Sequence, residues 1–597
     1  MLILSSISKR RLWILKFLIF SLFLMTFYQL IQLMVIHQPA LKELADKQHT
    51  LKIEVPPFRG SILDREGKEF ATNLRVPSIF AVPRLIADQG RGVFIEKIHE
   101  VLGLDRNFLK ERLSRKKSFV WLKRQTTFEE AQKIHQLKTP VLGMIEEPRR
   151  FYPQGDLLSQ ILGYTNIDNQ GIEGMELSLN KDLQGRPGSR ITRRDALGRE
   201  VKAFEKKTVP AVDGHVVTLT IDQHIQYLTE RALERAYTRW HAKGATAIVM
   251  NPQTGEILAL ANRPTFDPNY YQKASPDSRR NRSITDMYEP GSVFKIVTAS
   301  AALNEGTVTP ETIFYCENGH YNYGGGRILH DVHSYGRLTF EEVLIKSSNI
   351  GAVKIGATLK PDVFQSYVEK FGFGKPTGID FPGEAPGFCR PPSQWSKTSP
   401  YNIPIGHEIM VTAIQITTAM AVLANGGNLV KPYLISRIQD QNGVTLRENY
   451  PVIKRRVIRE EVAYKMRKIL ERVVNEGTGK SAKIDEIPTG GKTGTAQKVL
   501  PGGRGYSHNS FMSSFVGMAP IEEPQLVMAV VLDDPHPAYY GGTVSAPVFK
   551  EVIEPALLYL GYVPENAKIL GSFGTEKPDL PRNQPKALSG VASGTKG

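Results

Sequence analysis

Residues 17–36 carry no charge, and such an apolar run matches the roughly 20 residues a helix needs to cross a bilayer core. Lys9, Arg10, Arg11 and Lys16 precede it, and His37-Gln-Pro-Ala-Leu-Lys42 follows in place of the small-residue cleavage site of a signal peptide. The pattern therefore predicts a retained anchor over 17–36 with residues 1–16 on the cytoplasmic side. Basic residues beside the helix favour that orientation, although Lys42, Lys47 and Lys52 on the far flank keep the local bias small. Nothing after Ile36 is long and apolar enough to span again, so the remaining chain is expected on one side of the membrane, and long domains translocate largely regardless of charge.

Beyond the anchor the texture changes twice. Residues 37–215 read as a mixed, elongated region of short strand-like runs punctuated by turn signals such as Asp64-Arg-Glu-Gly67, Tyr152-Pro-Gln-Gly155 and Gly185-Arg-Pro-Gly188. From 216 to about 565 the elements become regular. Asp222 opens a helical pattern with Ile225, Leu228, Ala232, Leu233, Ala236 and Trp240 on one face. Strand-like runs at 245–250 and 256–260, joined by Asn251-Pro-Gln-Thr-Gly255, read as a hairpin. Further strands are predicted near 491–498, 513–518 and 525–532, with helical stretches between the early pair and the late trio. Strands at both ends of a domain with helices between them predict an α+β fold, an antiparallel sheet packed by helices. Residues 566–597 are rich in Pro, Gly, Ser and Lys, and a disordered tail is expected there.

Composition adds bounds. A chain of 597 residues with 41% hydrophobic positions has room for several cored domains. The net charge of +16 is partly concentrated at 106–124 and 186–207. No zinc-finger, helix-turn-helix or RNA-module signature accompanies these patches. A solvated face, anionic lipid or anionic polymer is therefore the expected counterpart, and no nucleic acid. Cys316 and Cys389 are the only cysteines. Spacing does not decide whether they pair, and two separate thiols are the favoured reading.

Three short motifs carry the chemistry: Ser292-Val-Phe-Lys295, Ser347-Ser-Asn349 and Lys492-Thr-Gly494. Pro290-Gly291 and the alanine-rich run after Val293 place Ser292 at a helix N-terminus, so a spacing of three puts Lys295 on the same face, its amine within reach of the hydroxyl. A lysine acts as a base only when uncharged, and one that titrates near 10.4 needs burial or a neighbouring cation to get there. Lys492 is a candidate for that cation. Thr339 and Glu342 form a capping-box pattern that starts a helix ending near Ser347. Lys492-Thr-Gly-Thr495 follows a turn into a short strand, and Gly494 removes a side chain where backbone approaches closely.

S-x-x-K, S-x-N and K-T-G in this order are the signature of penicillin-binding proteins and serine β-lactamases, and the chain resembles that superfamily. Arg59-Gly-Ser-Ile-Leu-Asp-Arg-Glu-Gly67, Arg150-Phe-Tyr-Pro153 and Gly171-Ile-Glu-Gly-Met-Glu176 resemble the pedestal domain of class B penicillin-binding proteins. Arg280-Asn-Arg-Ser-Ile-Thr-Asp286, Tyr539-Tyr-Gly-Gly542 and Ser545-Ala-Pro-Val-Phe549 are similar to the division-specific, FtsI-type enzymes. The resemblance implies a penicillin-binding transpeptidase fold at 216–565 on a dimerisation-type pedestal at 37–215, on the outer face of a bacterial cytoplasmic membrane. It implies a D,D-transpeptidase that cross-links peptidoglycan stem peptides through an acyl-serine and is acylated by β-lactams. Ser292 would be the nucleophile, Lys295 the base, Ser347 a proton relay and Asn349 a ligand of the substrate amide. Lys492 would hold anionic groups, Thr493 and Thr495 the terminal carboxylate, and Gly494 the close approach. It also implies a salt-bridge network among Arg59, Asp64, Arg150 and Glu176.

No E-D-x-x-F glycosyltransferase motif is found, so a glycan polymerase of the SEDS family and other division proteins are the implied partners. No cofactor and no metal are expected. Cys316, His320, His330, Asp331 and His333 have the side-chain types of a zinc site, but their spacing fits no zinc signature and solvated loop residues are expected. A β-lactamase needs a deacylating glutamate, and its E-x-x-L-N pattern is absent between Asn349 and Lys492. An elongation or sporulation enzyme, a D,D-carboxypeptidase and a non-enzymatic division scaffold stay open as alternatives. The departure from the family pattern is Ile405-Gly-His-Glu-Ile-Met410, where a glycine- or glutamine-containing loop is usual; His407 and Glu408 are expected to alter access to the cleft.

Overall fold

The apolar run forms the helix Ser6–Ile31, which a π-helical turn at Gln32–Ile36 extends. Among the described residues the stretch Lys9–Ile36 is the one helix long and apolar enough to cross a membrane, and none of it is buried against the protein. From Phe17 onward it is apolar on all sides, the pattern that suits a helix facing lipid. The structure, a computed structural model, describes residues 6–563 apart from 40, 44–49, 87, 115–116, 118, 195–199, 202–206, 325, 501 and 503–504. The tail expected at 566–597 and part of the basic stretch 186–207 lie outside the described residues.

In the pedestal, the helices Arg91–Leu102, Arg106–Ser114 and Phe128–Gln136 pack on the strands Glu69–Ala81 and Val120–Lys123 around a core of their own that includes Ile79, Ile98, Leu109 and Ile134. Glu69–Ala81 also pairs with Leu142–Phe151 and, through Ile62–Leu63, joins Val216–Leu219 in parallel. Val216–Leu219 pairs in turn with Ile435–Gln439, from far along the chain. One sheet thus carries hydrogen bonding from the pedestal into the C-terminal region.

Glu176 has no exposed surface, and its two carboxylate oxygens accept from Arg59 Nε and, at 2.6 Å, from Arg150 Nε. Arg150 also donates to Gly60 O at 2.8 Å, and Tyr152 donates to the same carboxylate at 3.3 Å. Two guanidiniums around one carboxylate tie three segments that are distant in sequence. Asp64, expected in this network, stands apart from it. Its carboxylate accepts from the Glu66 and Lys68 N–H groups and, at 3.2 Å, from Gln223 N, because the Asp64-Arg-Glu-Gly67 turn needs its own short polar cap.

The C-terminal region is built from α1 (Gln223–Arg239), β1 (Gly244–Met250), β2 (Ile257–Arg263), α2 (Lys295–Glu305), α3 (Phe340–Lys346), α4 (Asn349–Gly356), α5 (Ala413–Ala424), α6 (Glu460–Asn475), β3 (Gly490–Val499), β4 (Tyr506–Ala519), β5 (Leu526–Asp533) and α7 (Ala546–Tyr559). Asp222 caps α1 by accepting from the N–H groups of His224 and Ile225. The strands form one antiparallel sheet in the order β2-β1-β5-β4-β3. Its faces feed two cores by alternation along the strands. Ile248, Met250, Val516, Val527 and Ala529 join one core, and Ala247, Val249, Phe515, Met528 and Val530 the other. Burial on both sides explains why 526–532 reads as an uninterrupted apolar run. Helix α5, every residue of which is buried, packs on the first face, and α1 with α7 on the second. Among the described residues, strand β3 has a strand neighbour on one side only.

Glu176→Ala leaves two buried guanidiniums without a counter-charge and is expected to cost about 3–5 kcal/mol. The check is the urea midpoint of the pedestal transition, which should fall.

Candidate active site

Gly291, with φ +56°, turns the chain into a short 3-10 turn, Gly291–Phe294, that runs directly into α2. Ser292 is half-buried at this entrance, and its hydroxyl makes no hydrogen bond to any described residue. Lys295 is the first residue of α2 and has no exposed surface. Its amine does not bond to Ser292, although the spacing had put the hydroxyl within its reach. Nζ donates instead to Ser347 O at 2.7 Å and Asn349 Oδ1 at 2.8 Å, with Ser347 Oγ at 3.4 Å. A buried nitrogen with several N–H groups takes the strong carbonyl acceptors available to it, and bonds to the nucleophile often tighten only once substrate is present.

The capping box at Thr339 and Glu342 opens α3, and Ser347 closes it in the left-handed conformation, with φ +59°. That conformation points the Ser347 carbonyl and hydroxyl toward the lysines. Ser347 Oγ lies 2.9 Å from Lys492 Nζ, on β3, so one hydroxyl is shared by two buried amines from opposite walls. Burial lowers the Lys295 amine to about 7, while the Asp331 carboxylate pulls it upward. Lys492 is lowered well below its ordinary value, first by burial and then by the charge of Lys295. Of the two causes open from the sequence, burial or a neighbouring cation, burial is the larger for both amines, and the two buried amines also repel each other.

Asp331 was not foreseen in this position. Its carboxylate accepts from Ser348 Oγ at 2.6 Å and from the backbone N–H groups of Asn349 and Ile350, which fixes the start of α4 and thereby the Asn349 side chain. Asn349 Nδ2 donates to His330 O at 3.0 Å. The only hint in the sequence was an acidic residue among the side chains weighed as zinc ligands. Those residues do not converge. Cys316 is buried beside Ser348, His320 faces His330 alone, and His333 packs edge-on to Tyr335. Among the described residues no three of these types are placed to hold a metal. Cys316 and Cys389 are both free thiols.

Strand β3 forms the other wall. A Cβ on Gly494 would lie 2.7 Å from Val293 Cγ2 and 2.8 Å from Pro290 O, so only glycine lets this strand lie against the turn that carries Ser292. Thr493 Oγ1 meets Thr478 Oγ1 at 2.7 Å, and Thr495 Oγ1 accepts from Gly541 N at 3.1 Å. Ser292, Ser347, Asn349, Thr493 and Thr495 all line one open cavity of about 950 Å³, with Lys295 and Lys492 sealed behind Ser347. The free edge of β3 offers unpaired backbone groups to an extended peptide. The arrangement can therefore activate a hydroxyl beside a peptide-binding edge.

The sequence profile of the penicillin binding protein transpeptidase domain matches residues 245–554, and that of the penicillin-binding protein dimerisation domain matches residues 54–219. Stage V sporulation protein D of Bacillus subtilis is 35% identical over 536 residues, covering 89% of this chain and 82% of that protein. Peptidoglycan D,D-transpeptidase FtsI of Escherichia coli is 33% identical over 524 residues, covering 86% and 85%. Among solved structures, penicillin binding protein 3 of Mycobacterium tuberculosis complexed with aztreonam is similar at TM-score 0.67 and 27% identity, covering 86% of this chain and 98% of that one.

Asp331→Asn removes the one charge that raises Lys295. Its titration is expected to move below about 7, and an NMR titration of 13C-labelled lysine checks the sign.

Proposed function

The chain belongs to the penicillin-binding protein transpeptidase family and is a class B, serine-type peptidoglycan D,D-transpeptidase; from that premise we propose that Ser292 is its nucleophile and that it cross-links wall peptides at the division septum. The observation that carries the assignment is the sharing of Ser347 Oγ between Lys295 and Lys492 at the wall of the cleft that Ser292 enters.

A stem peptide lies along the free edge of β3, its terminal carboxylate held by the hydroxyls of Thr493 and Thr495 and by Lys492. Neutral Lys295 takes the proton as Ser292 Oγ attacks the penultimate D-alanine carbonyl. The N–H groups of Ser292 and Thr495 receive the developing oxyanion, donors of a kind that lower a barrier by about 2.7–4 kcal/mol each. Ser347 passes a proton to the departing D-alanine, and Asn349 holds the substrate amide. An amine from a neighbouring strand then takes the acyl group. Penicillins acylate the same serine, a reading supported by the related protein solved with aztreonam.

In this reading residues 37–215 form the pedestal and 216–565 the transpeptidase domain, the anchor at 17–36 holds both on the outer face of the cytoplasmic membrane, and a SEDS-type polymerase supplies the glycan. The likeness to FtsI supports septal duty. The likeness to stage V sporulation protein D favours a second reading, in which the same chemistry serves spore wall synthesis.

Fluorescent penicillin is expected to label the unmodified protein and not Ser292→Ala; equal labelling of both would refute the mechanism. Because the base is the neutral amine, the acylation rate should rise about tenfold per pH unit below the Lys295 midpoint and level off above about 7. Depletion during growth should give filaments. Round cells would favour elongation duty, and normal growth with defective spores the second reading.

A further inference from the structure

Glu289, three residues before Ser292, and His407 meet beside the nucleophile turn, where Gly291 N donates to Gly406 O at 3.1 Å. His407 Nδ1 lies 2.8 Å from Glu289 Oε2. Glu289 Oε1 accepts from Glu408 N at 2.9 Å and from the Tyr506 hydroxyl at 3.3 Å. A carboxylate only accepts, so Nδ1 is a protonated ring nitrogen, and in the neutral imidazole Nε2 then keeps its lone pair. Tyr506 packs edge-on to the imidazole, centroids 5.3 Å apart, and fixes its plane. Burial and Glu289 push the Tyr506 phenol up, so it stays a donor.

Nε2 has no hydrogen-bond partner among the described residues, and His407 lines the same cleft as Ser292 and Asn349. Glu408 does not face the cleft. Its carboxylate accepts from Thr398 Oγ1, from Ser399 Oγ at 2.6 Å and from Asn402 Nδ2 at 2.6 Å, held there by a backbone φ of +59°. Of the two residues that depart from the family pattern, His407 alone lines the cleft.

We infer that His407, backed by Glu289, receives a primary ammonium group of the peptide substrate on Nε2. The inference rests on the reading of Ser292 as the nucleophile. A free lone pair with a nearly buried carboxylate behind it suits an N–H cation, and Glu289 is 8% exposed, so its charge is little screened by solvent. The ammonium has two sources, the side-chain amine of the donor stem and the acceptor amine. For the acceptor the step balances. One proton passes from the ammonium to Nε2, giving an imidazolium held by Glu289. The neutral amine attacks the acyl carbonyl, the C–N bond forms, the ester C–O bond breaks and the second proton goes to the Ser292 oxygen. The imidazolium then releases its proton to solvent.

Full-length protein in detergent is given a stem pentapeptide donor with a free or an acetylated side-chain amine, and separately one donor with an amine acceptor competing against water. Both readouts are ratios taken within one enzyme preparation, so they do not depend on how much of a variant folds. If the donor supplies the ammonium, the unmodified enzyme prefers the free-amine donor by about tenfold in kcat/KM, and His407→Gln and Glu289→Gln bring the ratio near one. If the acceptor supplies it, the ratio of aminolysis to hydrolysis falls about tenfold in both variants. An unmodified enzyme without preference in the donor arm, together with aminolysis-to-hydrolysis ratios in the variants within twofold of its own, overturns the inference. Failure of the unmodified enzyme to release D-alanine or to be labelled by penicillin refutes the Ser292 reading instead.

Discussion

Lys295 and Lys492, neither with exposed surface, both reach the hydroxyl of Ser347, and the C-terminal region is organised around keeping them there. Two ammonium groups so close in a water-poor interior repel each other and lose hydration, so charging both at once is disfavoured. The same burial that makes the arrangement costly makes one amine basic and uncharged near neutrality. An anionic substrate group entering beside Lys492 would support charge on that side and leave Lys295 free to act. Reactivity here is a property of the packed shell more than of the serine.

That shell has two walls of different construction. One is helical: Lys295 begins α2, Ser347 ends α3, and Asp331 pins the first N–H groups of α4. The other is the edge strand β3, brought against the helical wall because Gly494 has no side chain to hold it off. An edge strand is normally a liability that proteins hide. Here its open side faces the cleft, where a peptide can complete the sheet.

The pedestal reaches this machinery through backbone. Val216–Leu219 is hydrogen-bonded on one side to Ile62–Leu63 and on the other to Ile435–Gln439, and Asp64 accepts from the first residue of α1. Glu176 stiffens the base of that connection by holding Arg59 and Arg150 together. The N-terminal region is thereby fixed to the one that holds the cleft.

Local physics was legible in the sequence. The apolar run at 17–36, the capping box of Thr339 and Glu342, the cap at Asp222, the five strands of the catalytic sheet and the three motifs each depend on residues within a few positions of one another, and each appears where the pattern put it. Convergence of the motifs was implied by resemblance and depends on the fold. What the tertiary structure alone decided are interactions between segments far apart in the chain: Lys295 bonding to Ser347 and Asn349 in place of Ser292, burial as the larger cause of its lowered pKa, Asp331 serving as a cap, Asp64 standing outside the Glu176 network, and Glu289 gripping His407. Short-range patterns record backbone preference and amphipathicity. Which acceptor a buried donor finds, and how much water surrounds it, is set only when distant segments pack together.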